Sequence, residues 1–160
     1  CGEKEILKSN VNFLIFRISW LYNPSFNNNL ISKLIKQIKQ NKDIYAALDE
    51  KSIPTCANNL AKNIMYLIFR YKLKKIKKTF HYVDNGNSIS VYKLTKFIKN
   101  TSYFQKYKSS IFSIKSSEFN NSIIRPHYSA LNNKLFKDKF KIQEDNWRNI
   151  LINNIKEHYL

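Results

Sequence analysis

Arg17-Ile18-Ser19-Trp20-Leu21-Tyr22 closes an apolar run, Val11-Asn12-Phe13-Leu14-Ile15-Phe16. Six to eight residues rich in β-branched and aromatic side chains, with no clear alternation, predict a strand over 11–20. Such a strand is buried on both faces of a parallel sheet. Ligands of open α/β sheets bind just beyond the carboxyl ends of such strands. Ser19, Trp20 and Tyr22 therefore stand where a site would be. A core aromatic under a loop is the alternative role for Trp20.

Outward from this strand the chain reads as alternating helices and strands. Residues 3 to 9 form a helix that turns Ile6 and Leu7 toward a core. Tyr22-Asn23-Pro24 and the triplet Asn27-Asn28-Asn29 make a loop. Leu30, Ile31, Leu34, Ile35 and Ile38 then follow helical spacing, with an Asn of the triplet as cap. Ile44–Leu48 is a short strand. Thr55 caps a helix from about 56 to 70 that buries Ala57, Leu60, Ala61, Ile64, Leu67 and Ile68. Thr79–Val83 is a strand, and Gly86 takes positive φ in the turn after it. Ser90 caps a helix whose face is Val91, Tyr92, Leu94 and Ile98. Ile111–Ile114 is the last strand.

The 160 residues suffice for one domain that buries roughly 70% of its extended surface. An apolar fraction of 43% argues against disorder. No run approaches the roughly 20 apolar residues of a membrane span, and the first residues lack the apolar centre of a signal peptide. Cys1 and Cys56 form neither a disulfide framework nor a zinc site, so a reducing cytoplasm is the expected setting.

A net charge of +17 points first to nucleic acid. The composition gives another cause. Only Arg17, Arg70, Arg125 and Arg148 are arginines, and there are 2 Gly and 3 Pro. Lys, Asn, Ile, Phe and Tyr share A/T-rich codons, so drift in an AT-rich genome explains the whole pattern. Selection for nucleic acid would explain the charge alone and would favour Arg at base-reading positions. The run Tyr71–Lys78 reads as a solvated helix end or connector rather than a phosphate-binding strip. His81, His127 and His158 are scattered and form no ligand spacing.

The motifs, taken together and in order, resemble dTDP-4-dehydrorhamnose reductases of the extended short-chain dehydrogenase/reductase family. They are Gly2-Glu3, Arg17-x-Ser19-Trp20-x-Tyr22, Asn28-Asn29-Leu30, and Asp49 to Pro54-Thr55 as D-x-x-x-x-P-T. Ser117-Glu118-Phe119, Arg125-Pro126-x-x-Ser129-x-Leu131 with Lys134-Leu135, and Trp147-Arg148-x-x-Leu151 complete the set. They cover nearly the whole chain.

The resemblance implies an α/β fold, the C-terminal portion of a Rossmann-type short-chain reductase, with the N-terminal dinucleotide-binding half absent. Residues 1–160 are then the substrate-binding half, truncated at the N-terminus. The family reduces the 4-keto group of dTDP-4-dehydro-L-rhamnose to give dTDP-L-rhamnose for cell-envelope polysaccharides. A Tyr donates the proton, and a nearby Lys lowers that Tyr's pKa. Carried onto this numbering, both lie upstream of residue 1, so no catalytic residue is expected here and the chain alone is expected to be inactive. NADPH or NADH is expected to be bound mainly by the other half. Trp20 is expected to lie against the sugar, since an indole offers an apolar face and one N–H donor. Arg125 suits a diphosphate, with a structural ion pair as its alternative. Asn28 and Asn29 fall beside the nucleotide-sugar site, with a helix cap as the alternative for either. Some family members use Mg2+ through carboxylates. Asn58, Arg148 and Asn149 stand where acids would be sought, which argues against a metal. The expected partners are the dTDP-4-keto-sugar and, for a complete enzyme, a second copy in a homodimer, with no specific nucleic acid and no membrane. A non-catalytic remnant or regulatory subunit of the same fold is the competing reading, and a basic nucleic-acid-binding protein a third.

Overall fold

The computed structural model describes residues 2–71, 76–119 and 125–159. The helices are α1 (Gly2–Lys8), α2 (Leu30–Lys39), α3 (Ala57–Tyr71), α4 (Val91–Lys99), α5 (Lys134–Phe140) and α6 (Trp147–His158). The strands are β1 (Phe13–Ile18), β2 (Leu21–Tyr22), β3 (Ile44–Ala47), β4 (Lys51–Ser52), β5 (Thr55–Cys56), β6 (Lys77–Tyr82), β7 (Ile89–Ser90) and β8 (Ile111–Ile114). Three strand pairs are parallel: β1 with β6 (Phe16 opposite Phe80), β2 with β5, and β3 with β8. β4 and β7 are antiparallel. Of the run Tyr71–Lys78, Tyr71 ends α3 and Lys77 opens β6, while residues 72–75 lie outside the described residues.

The expected strand 11–20 is broken. Trp20 adopts a φ of 40°, the left-handed region that a bulky L-residue rarely enters. The chain turns there, and Leu21–Tyr22 leaves for a different neighbour. β1 is also not buried on both faces. Leu14, Phe16 and Ile18 pack on a cluster built from Phe80, Tyr82, Phe136 and Phe140, whereas Arg17 is exposed and paired with Glu3 of α1. Among the described residues β1 has only β6 beside it. Ile6 and Leu7, expected to face a core, are exposed, as are Met65, Ile68 and Phe69 on one side of α3.

α2 forms as its spacing predicts, with Ile31, Leu34, Ile35 and Ile38 buried. Asn29 is its cap. Its side chain accepts the Ser32 N–H at 3.0 Å, and Ser32 Oγ accepts the Asn29 N–H in return, a reciprocal capping box. Ser90 caps α4 as expected by accepting the Lys93 N–H. Thr55 does not cap α3. It lies in β5, with its hydroxyl donating to Ile53 O. The cap comes from across the fold. Asp84 Oδ2 accepts the Cys56 N–H at 2.7 Å, just before the helix. α3 buries Leu60 and Leu67, with Ile64 half-buried, while Ala61 and Ile68 face outward.

The main core joins α2, α4 and α6, with Ile38, Leu94, Trp147 and Leu151 fully enclosed. Gly86, at φ 120°, passes close over the Trp147 ring, where a Cβ would sit 2.8 Å from Cδ1. Behind that turn Asp84 is 1% exposed. Burial pushes its carboxyl up to about 6, against the lowering bond from Cys56. Burial likewise raises Glu144 to about 7. Lys137 opposes that shift and the charge of Asp84 adds to it. Asp84 Oδ1 and Glu144 Oε1 are buried with no hydrogen-bond partner among the described residues.

Candidate functional site

Two adjoining cavities open beyond the carboxyl ends of β1 and β3. The smaller, about 110 Å³, is lined by Trp20, Leu21, Tyr22, Pro54 and Leu94, among others. The larger, about 610 Å³, is lined by Lys33 and Gln37 of α2, Tyr45 of β3, Glu50, Ser116 and His127, among others. Leu30 and Arg125 line both.

Local hydrogen bonds explain why motifs from opposite ends of the chain meet here. Lys51 N donates to His127 O at 2.8 Å and Ser129 N donates to Lys51 O at 2.9 Å, so the Arg125–Ser129 segment runs beside β4 as a parallel bridge. The hydroxyls of Ser19 and Ser52 are hydrogen-bonded, and Ser19 also donates to Ser129 Oγ at 3.4 Å. The Ser of the first motif is thereby tied to the Ser of the Arg-Pro motif. On the other side Trp20 O accepts the Thr55 N–H. Trp20 is half-buried against the main core, held by a backbone bond in a strained conformation of the kind that clusters at ligand sites.

The expected residues separate into two groups. Trp20 and Arg125 share the small cavity. Arg125 lies 3.9 Å from Glu50 Oε2 and keeps 62% of its side chain exposed, so the ion pair leaves most of the guanidinium free. Asn28 is exposed, and Asn29 spends its carboxamide on the α2 cap and on the carbonyls of Asn23 and Phe26. Neither lines the two cavities, although the cap fixes the helix end that carries Leu30 and Lys33.

His127, read from sequence as incidental, lines the large cavity with Nδ1 3.3 Å from Asp49 Oδ2. Asp49 also accepts Ser116 N–H and Oγ–H at 2.8 and 2.9 Å. Burial would raise the Asp49 carboxyl. The two Ser116 bonds, with His127 beside them, outweigh it and hold the group below the usual carboxylate range. The contact needs the β8-to-turn return beside β3, which no local spacing shows.

The arrangement suits binding rather than proton transfer. Tyr22 is the one phenol of the small cavity. Burial, with Cys56 nearby, pushes it well above the ordinary phenol range, and its hydroxyl accepts from Asn154. The described residues include no glycine-rich turn to cradle the phosphates of a dinucleotide. Of the two glycines, Gly86 alone takes positive φ, and it packs on Trp147 rather than opening toward a ligand. Among the described residues no three His, Cys, Asp or Glu side chains are grouped to hold a metal ion, and no helix is long and apolar enough to cross a membrane.

Parallel strand pairs covered by helices make an α/β fold, and it matches the C-terminal half of Rossmann-type extended short-chain enzymes. The chain belongs to the RmlD substrate binding domain family, whose pattern matches residues 1–160. It is 24% identical over 156 residues to the spore coat polysaccharide biosynthesis protein SpsK of Bacillus subtilis (strain 168), a match over 98% of this chain and 51% of that one. Its structure resembles dTDP-4-dehydrorhamnose reductase from Bacillus anthracis str. Ames, solved in complex with NADP. The TM-score is 0.80 at 23% identity, over 99% of this chain and 52% of that one. The reductase from Yersinia enterocolitica gives a TM-score of 0.74 at 24% identity, over 89% and 48%. The chain thus spans about half the length of the relatives it matches.

Proposed function

We propose that residues 1–160 are the nucleotide-sugar-binding half of an NAD(P)H-dependent reductase acting on dTDP-4-dehydro-L-rhamnose. The observation that carries this reading is the meeting of Trp20 and Arg125 at one small cavity that continues into a larger one. An indole face suits the apolar side of a deoxysugar, and an exposed guanidinium suits a diphosphate bidentately. The large cavity, about 610 Å³, lies within the roughly 300–1,000 Å³ of small-molecule sites. Tyr45 on its wall, stacked on Phe112 with centroids 5.2 Å apart, offers a ring to the base.

The proton donor, its Lys and the dinucleotide turn come, in this reading, with a second half that docks on β1. Two features support that docking. The edge of β1 away from β6 has no strand among the described residues, and Ile6 and Leu7 of α1 and Met65, Ile68 and Phe69 of α3 are exposed apolar side chains.

The test joins residues 1–160 behind the dinucleotide-binding half of the B. anthracis reductase and follows NADPH consumption with the dTDP-4-keto-sugar. Turnover by the joined protein, and none by either half alone, is the expected result. A folded, NADP-binding hybrid that binds the dTDP-sugar without turnover would favour the non-catalytic remnant. One that binds no dTDP-sugar would end the reading altogether.

A further inference from the structure

We propose that Ser19 is a positioning residue of the candidate site: its buried hydroxyl, bonded to Ser52, links the strand end that carries Trp20 to the segment that carries Arg125, so that the sugar and the diphosphate of one ligand are held together. The inference rests on the reading that Trp20 meets the sugar and Arg125 the diphosphate, and it adds a coupling between the two that the reading does not contain.

Three serines from distant parts of the chain meet here. Ser19 adjoins Trp20, Ser52 stands two residues before Pro54 of the small cavity, and Ser129 follows Arg125 by four. Ser19 is 8% exposed and Ser52 wholly buried, so water does not serve these two hydroxyls. Each serine has one hydrogen to give. Ser19 gives its own to Ser129 Oγ at 3.4 Å, a long outer link, so the bond between Ser52 and Ser19 is donated by Ser52.

Trp20 needs a hold on both sides. Its φ of 40° persists only where the surroundings over-determine it. After Trp20 the hold is main-chain: its carbonyl accepts the Thr55 N–H at 3.1 Å, and Leu21 and Tyr22 pair with β5. Before Trp20 stands Ser19, whose hydroxyl is fixed by Ser52 of β4. The residue beside Ser52 is Lys51, which holds the Arg125–Ser129 segment by two main-chain bonds. Lys51 N donates to His127 O at 2.8 Å, and Ser129 N to Lys51 O at 2.9 Å. A hydrogen bond is directional and confined to a narrow range of length, so the Ser52–Ser19 bond sets the spacing of the two backbones where apolar packing would let them slide. A shift of β4 with the Arg125 segment, when a diphosphate engages the guanidinium, is carried through that bond to residue 19, and Trp20 follows.

The experiment is titration of the full 160-residue chain with dTDP and with dTDP-L-rhamnose, followed by calorimetry and by tryptophan emission. dTDP carries the diphosphate without the sugar. Wild type, Ser19→Ala and Ser19→Ala/Ser52→Ala are compared, with circular dichroism to confirm folding. The double variant leaves neither hydroxyl of the pair orphaned, which guards against misfolding of the single one. In wild type, dTDP alone should shift the emission of Trp20. Trp147 is the only other tryptophan, and Trp20→Phe identifies its share of the signal. In both serine variants that shift should vanish. They should bind dTDP-L-rhamnose about three- to tenfold more weakly than wild type, the scale of one buried hydrogen bond, and dTDP within about twofold of it. A purely structural role would weaken both ligands alike or neither. Either result, a dTDP shift that is absent from wild type or kept by the variants, or loss of folding in both variants overturns the inference while the nucleotide-sugar reading stands. If folded wild type binds neither ligand, the reading falls and takes the inference with it.

Discussion

Folding stability should fall as pH rises from about 5 to 8, and Asp84→Asn should remove a large part of that fall. The carboxyl of Asp84 moves from 3.8 to about 6 on folding, and that of Glu144 from 4.5 to about 7. Both are raised, so between the unfolded and folded values the native state holds more protons than the unfolded state. Stability is then fully present below about pH 4 and is lost as pH climbs through about 6 to 7. At about 1.4 kcal/mol per unit, a shift of about 2 units makes Asp84 alone worth about 3 kcal/mol. Glu144 acts in the same direction, but its repulsion by Asp84 is common to both groups, so the two do not add in full. Asp49 acts oppositely, since its pKa is lowered, yet its partly exposed carboxylate is screened. An Asn at position 84 stays neutral and keeps an oxygen for the Cys56 N–H. Urea denaturation followed by the fluorescence of Trp147, which is wholly buried, measures the effect. About half of the Asp84 contribution is already lost by pH 5, so with a slope of about 2 kcal/mol/M the remaining loss of about 1.5 kcal/mol lowers the wild-type midpoint by about 0.7 M between pH 5 and 8. The variant should show a clearly shallower fall and be the more stable protein at pH 8. Parallel pH profiles for the two proteins would refute the reasoning.

Other perturbations follow from the same structure. Gly86→Ala places a Cβ 2.8 Å from the Trp147 ring at a φ of 120° and should cost about 3 kcal/mol, read as a drop in Tm; an unchanged Tm would show that the turn relaxes freely. Phe136→Ala removes the ring that Phe16, Phe80, Tyr82 and Phe140 all meet edge-on or tilted, and should cost about 3–5 kcal/mol in urea denaturation. In the joined reductase, Trp20→Ala should raise KM for the dTDP-sugar about tenfold or more and leave KM for NADPH unchanged; equal effects on both would return Trp20 to a purely packing role. DNA binding, measured by fluorescence anisotropy, should stay on the order of 10⁻⁴ to 10⁻⁶ M at physiological salt, and nanomolar sequence-specific binding would contradict codon drift as the origin of the lysines.

What could be read from the sequence was set by local chemistry. The apolar stripe of α2 and the caps Asn29 and Ser90 depend on residues three or four apart, and the structure has them where spacing puts them. Periodicity marks an apolar face without naming what covers it, so Ala61 and Ile68 of α3 were expected inside and lie outside. Local sequence offers only Thr55 as the cap of α3; the carboxylate that fills the role arrives from Asp84, on another strand end. The break at Trp20 is a matter of which strand Leu21 and Tyr22 pair with, and no run of apolar residues encodes that choice. At the site, motif matching picked out Trp20 and Arg125 one by one. Their meeting, and the place of His127 beside Asp49, depend on the bridge between Tyr128 and Lys51.

The buried contact between Tyr22 and Asn154 ties the second strand to the last helix. Asn154 Nδ2 donates to Tyr22 Oη at 3.0 Å, within the core that also holds Trp147, Leu151 and Ile155. A ribosome delivers Tyr22 long before α6 exists. Until α6 emerges, Tyr22 and Cys56 lack the side chain of Asn154, and the nascent polypeptide must wait with that end of the core bare. Closing so distant a pair is slow, and chaperone occupancy is the natural cost of the delay. Translation that stops just short of Trp147 would therefore leave not a slightly shorter protein but one whose principal core never shuts.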